Sequence, residues 1–128
     1  MKVVKVKNVA KEPAEMTGGL MTGTQVYRQS VLKPGESKNF NFGIVSFSAG
    51  SRNKFHKHSS DQILVITEGV GKVATRDNAG KVTELTVRKG DVVLIPGGED
   101  HWHGAPGGTA MAHITVTGNG SQTTQTER

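Results

Sequence analysis

The chain of 128 residues contains no cysteine, which excludes a disulfide framework and any thiolate metal site. A single Trp and a single Tyr are too few for the aromatic platforms that stack single-stranded nucleic acid. No apolar run approaches the roughly 20 residues that span a bilayer as a helix. The opening MKVVKVKNVAKEPAEM alternates lysine with valine and lacks the apolar stretch and small-residue cleavage site of a secretory leader; a cytoplasmic location is expected. Also missing is a block of one charge sign. The net charge is +5, but Lys2, Lys5, Lys7, Lys11, Arg28 and Lys33 are spread along the chain and read as solvated surface. Neither a nucleic-acid nor a membrane partner is expected. Arg52, Lys54 and Lys57 gather locally and could concentrate anions.

What is present is glycine, 17 in all, and short β-rich runs: 24–32, 40–48, 62–68, 71–77, 81–87, 91–96 and 109–117. Turn-forming residues separate them, among them Lys33-Pro34-Gly35, Glu68-Gly69, Asp77-Asn78-Ala79-Gly80, Lys89-Gly90 and Pro96-Gly97-Gly98. Turns about ten residues apart predict a single all-β sandwich or barrel over residues 24–117. Residues 8–22, with Pro13, Gly18 and Gly19, read as irregular with a short helical turn, and 1–23 as a segment packed on the barrel or on a partner. The stretch GNGSQTTQTER (118–128) has no apolar residue and reads as a flexible tail.

The five histidines lie at 56, 58, 101, 103 and 113, all in or beside β-runs. His56 and His58 are two apart in FHKH, so on a strand they share one face; His101 and His103 in HWHG obey the same parity. Such pairs can be hydrogen-bonded polar stripes on a sheet or arms of a metal site. Trp102 projects the opposite way, toward core or a subunit contact.

Two stretches bear on the choice. GSRNKFHKHSSDQILVITEG and GDVVLIPGGEDHWHGA resemble the paired signature motifs of the cupin superfamily, which carry many fixed spacings. In the first, Gly50 is followed by five residues, His56, one, His58, three, Gln62, six and Gly69. The resemblance implies a double-stranded β-helix, a jelly-roll-like barrel with the motifs on facing strands. It puts His56, His58, Gln62 and His101 on the four metal-ligand positions. Two departures stand out: Gln62 falls where most cupins have Glu, and Ala105 where the second motif usually ends in Asn.

Three imidazoles and one amide oxygen suit a borderline divalent ion: manganese first, with iron, nickel and zinc also fitting. All four ligands are neutral, so the ion keeps its full charge, which favours Lewis-acid work on a small oxygenated substrate. The segments MTGT, DQILVITEGVG, KGDVVLIPGGEDHWHGA and TAMAHITV also resemble the small bacterial cupins that include manganese-dependent hydroxynitrile lyases, and the cupins associated with carboxymuconolactone decarboxylases. The lyase likeness implies His113 as the catalytic base and a pocket lined at Gly43 and Val45, with His103, Met111 and Thr117 nearby. Thr117 replaces a supporting glutamine of that group. A lyase is the leading expectation; a dioxygenase and a non-catalytic binding module are the alternatives. Pairing of small cupins through their sheets implies a homodimer.

Overall fold

The computed structural model describes residues 1–128. Its regular structure is all strand apart from one short 3-10 turn at Val6–Asn8. The strands are β1 (Glu12–Pro13), β2 (Met21–Thr22), β3 (Val26–Gln29), β4 (Phe40–Phe47), β5 (Ser51–Asn53), β6 (His56–His58), β7 (Gln62–Arg76), β8 (Val82–Arg88), β9 (Val92–Ile95), β10 (Asp100–Ala105), β11 (Met111–Gly118) and β12 (Thr123–Gln125). All pairings are antiparallel. One wall of the curled sheet runs β1-β3-β4-β11-β7-β9. The other runs β8-β7-β10-β5-β2, with β6 and β12 continuing from β10. No helix is long and apolar enough to cross a membrane.

Strand β7 belongs to both walls. Residues 62–69 pair with β11 and 70–76 with β8, so the two runs expected on either side of Glu68-Gly69 are one bent strand. The bend needs glycine. Gly69 has φ +75°, and a Cβ there would stand 1.9 Å from the Ala110 carbonyl oxygen, a left-handed corner closed to other residues.

Alternation along the strands sorts the side chains. Val45, Phe47, Leu64, Ile66, Val73, Val87, Ile95 and Met111 point inward and form one apolar core with Met21, Val26 and Ala105. Met111, expected in the pocket, is 2% exposed and belongs to this core; a Cβ on Gly71 would meet it at 2.8 Å. The outer face of the first wall is also apolar. Ile44 lies beside Ile114, Ile114 beside Val65, Val65 beside Val92, and Ile63 beside Leu94; Ile63, Val92 and Leu94 are exposed.

The polar stretch after β11 is not a flexible tail. β12 pairs with β6, Thr123 opposite His58 and Gln125 opposite His56. Glu127 forms a two-pronged ion pair with Arg52 at 2.9–3.0 Å and accepts from the Phe55 amide. Its purchase is made of hydrogen bonds, which an apolar-pattern reading does not register. The two-residue strands β1 and β2 occupy part of the region expected to be irregular.

Candidate metal centre

The barrel brings all five histidines to one place. β10 lies between β7 and β6, with His101 opposite Thr75 on one side and His56 on the other. The parity read from FHKH and HWHG therefore puts both pairs on the inner face. The His56 ring is 4.3 Å from that of His101 and 4.9 Å from that of His58, centre to centre; His58 and His101 are 5.4 Å apart. Gln62, at the start of β7, reaches in from the opposite wall, its Oε1 3.0 Å from His101 Nε2.

Hydrogen bonds decide which nitrogen each ring offers. His56 donates Nδ1–H to the Lys54 carbonyl at 2.6 Å, and His101 donates Nδ1–H to the Glu99 carbonyl at 2.8 Å. Both rings are buried, and both are held neutral: His56 is pushed down to about 3 and His101 to about 4, chiefly by desolvation. Each thus presents a bare Nε2 lone pair. His58 Nδ1 bonds Thr123 Oγ1 at 2.8 Å, and its Nε2 is the one buried side-chain polar atom without a partner. Gln62 lies beside that nitrogen without completing a hydrogen bond.

The residues fit a cation. As placed, Gln62 donates its Nε2–H to Thr115 Oγ1 at 2.9 Å, so its Oε1 and the bare His101 Nε2 are two acceptors facing each other. A cation satisfies both, and the orphaned His58 Nε2 with them. A second grouping is also compact: ring nitrogens of His56, His101 and His103 all lie within 4.8 Å of one another. His103, however, has both nitrogens committed, whereas His58 has one with nothing to bind. His56, His58 and His101 are therefore the better-disposed imidazoles.

His103 and His113 form a directed chain instead. His113 donates Nδ1–H to the Ile114 carbonyl at 3.2 Å and accepts at Nε2 from His103 Nδ1–H at 2.9 Å. His103 Nε2 accepts from Asn53 Nδ2 at 3.1 Å, while Asn53 Oδ1 accepts from the His103 amide at 2.8 Å. Phe47 packs edge-on to His103. Burial holds both rings neutral, His113 down to about 4 and His103 well below the usual histidine range; the other histidines push His103 further. His113, expected to meet substrate, stands behind His103: it is fully buried, and the cavity wall is formed by His103.

That cavity has a volume of about 330 Å³, the scale of a small-molecule site. His56, His58, Gln62 and His103 form its inner end, together with Asn53, Asn41, Thr115 and Thr117; Gly43 and Val45 lie on its wall, and Leu20, Leu32 and Pro34 also line it. No carboxylate lines it, and Arg28 is the only charged residue that does. Asn53, Thr115 and Thr123 were not singled out from sequence. Thr115 could have been, since it shares the inward parity of His113 and Thr117; nothing in the pattern marked Asn53, and the run TTQT holding Thr123 signals extended backbone but no site.

A barrel of this topology with histidines and one amide gathered on its inner face defines a cupin architecture. The chain belongs to the cupin family: the cupin domain matches residues 43–117. Over 72 residues it is 43% identical to (R)-mandelonitrile lyase of Granulicella tundricola, 56% of this chain and 52% of that one. Over 54 residues it is 39% identical to acireductone dioxygenase of Alcanivorax borkumensis, 40% of this chain and 29% of that one. The chain thus matches about half the length of the first relative and under a third of the second. A crystal structure of a cupin-like protein from Thermotoga maritima superposes with a TM-score of 0.72 at 26% identity, covering 94% of this chain and 89% of that one.

Proposed function

We propose that this protein is a divalent-metal-dependent lyase acting on a small oxygenated molecule, of the kind the mandelonitrile lyase relative is named for. The observation that carries the reading is the unpartnered His58 Nε2, buried at the head of the cavity beside the bare lone pairs of His56 and His101. His56, His58, His101 and the Gln62 oxygen would hold the ion, manganese first, with iron, nickel and zinc suiting the same donors. When bound, it would supply a positive charge, undamped by any carboxylate, that polarises a substrate oxygen.

The remaining work falls to the chain's own groups. His103 Nε2 is the lone pair nearest the substrate space that is not claimed by the ligand set. It takes the substrate's proton by giving up the Asn53 bond, and its Nδ1 proton can pass to His113 Nε2, 2.9 Å away. His113 thus serves as the second station of a relay. Because burial makes His103 a weak base, transfer to it requires a substrate proton already acidified, which matches a cation at the neighbouring rings.

Metal analysis of freshly purified protein, followed by cyanide release from mandelonitrile, tests the reading. We expect near-stoichiometric divalent metal and release abolished by a chelator. Protein that binds no divalent ion overturns the proposal. A second reading, oxygen-dependent cleavage, draws on the dioxygenase relative; oxygen uptake by the iron-loaded protein without cyanide release would favour it. Metal binding without either turnover would leave a binding module. The exposed stripe of Ile63, Val92 and Leu94 supports a homodimer paired through the first wall, checked by light scattering of a Leu94→Glu variant.

A further inference from the structure

We infer that Thr123, on the strand after the barrel's last long one, is a positioning residue for the metal centre: its hydroxyl accepts the His58 Nδ1–H and so turns the other ring nitrogen inward as a lone pair. The inference rests on the proposed metal reading. His56 and His101 have their Nδ1 atoms committed to backbone carbonyls, acceptors that leave no choice of tautomer. His58 is the exception, because its Nδ1 meets a hydroxyl, 2.8 Å away, that is able to donate or accept. Its Nε2 is buried and makes no hydrogen bond; the Gln62 oxygen beside it is turned to His101 Nε2, 3.0 Å away. A proton placed there would be left unpaired, whereas a proton on Nδ1 finds Thr123 Oγ1. Burial therefore selects the Nδ1–H form, and Thr123 is what makes that form satisfied.

The segment around Thr123 is built to hold that oxygen in place. Ser59 donates its amide to the Gln122 carbonyl at 2.9 Å, and Gln122 returns its own to Ser59 Oγ at the same distance. Thr126 and Glu127 both donate their amides to the Phe55 carbonyl. Arg52 clamps Glu127. β12 is the only strand beside β6 on the side away from β10, and Ser121 and Thr123 themselves line the cavity. One polar segment thus closes the wall and sets a ring.

The test uses Thr123→Val, which keeps the β-branched shape and removes the acceptor, with Thr123→Ser as rescue and its equally exposed neighbour Thr124→Val as a strand control. In metal-free wild type, long-range ¹H–¹⁵N spectra should show His58 protonated at Nδ1; an Nε2-protonated ring overturns the inference without touching the metal reading. In Thr123→Val that signature should be lost or mixed, and Thr123→Ser should restore it. Titration with Mn²⁺ against a chelating dye should show affinity falling by about 10- to 100-fold in Thr123→Val, with Thr123→Ser and Thr124→Val within about twofold of wild type. Wild-type binding with Thr123→Val unchanged overturns this inference alone. Wild type that binds no ion overturns the metal reading and this inference together.

Discussion

The two His-X-His stretches share a parity and differ in what holds them. His101-Trp102-His103 lies in the middle of β10, and all three residues are buried. β7 runs along one side of it from residue 100 to 104. Trp102 packs with Phe55 and Ala74 on the outer side of that strand, under the Arg52 guanidinium. His56-Lys57-His58 occupies a strand of three residues, its middle side chain exposed; it meets β10 at one residue pair and β12 at three. A histidine pair in the centre of a sheet inherits its position from packing; a pair at the margin has to be tied down by particular hydrogen bonds.

The contrast is broken most severely through the middle residues. Trp102→Ala should destabilise the protein by about 3–5 kcal/mol, since it empties a buried aromatic site, whereas Lys57→Ala should stay within about 0.5 kcal/mol; chemical denaturation of both variants checks the pair. Next comes ligand loss. His101→Ala should reduce divalent-metal affinity by more than about 100-fold, as it removes one of the donor nitrogens. Equal affinity for wild type and variant in a dye competition would take His101 out of the centre.

Acid should then find the same histidines. Well above pH 6.5 they are neutral in both folded and unfolded chains and contribute no pH dependence. As pH falls below that value the unfolded chain takes up protons that the folded one refuses, until the folded rings titrate, near 4 for His101 and His113 and near 3 for His56. Metal-free protein should lose on the order of a few kcal/mol between pH 6.5 and 4, read as a falling Tm; a flat profile contradicts the buried neutral rings. The smallest effect belongs to the margin: Glu127→Gln should cost about 0–1 kcal/mol, because the Arg52 pair is partly solvated.

The same contrast explains how much was legible beforehand. Strand runs, turns and the inward parity of both histidine pairs follow from period-two alternation, and the paired motifs carry the barrel. Gln62 was singled out through the motif resemblance, which assigns that position a ligand. The continuity of β7 was not visible, because Glu68-Gly69 has turn chemistry and only the close approach of Ala110 shows that the glycine serves a bend. β12 was missed because its residues bury nothing apolar; the threonines of TTQT were the available signal of extended backbone. Met111 and His113 had the correct facing but not the depth, since alternation says which side a residue takes and not how far from the opening it lies.

One consequence of the shared strand concerns access. Because fifteen residues of β7 run unbroken from one wall into the other, the walls cannot part like the halves of a shell without tearing that ladder. Guest molecules must therefore come in through the cavity that Leu32 and Pro34 help to line, so substitutions there should change the rate of entry while the geometry of the histidines stays put.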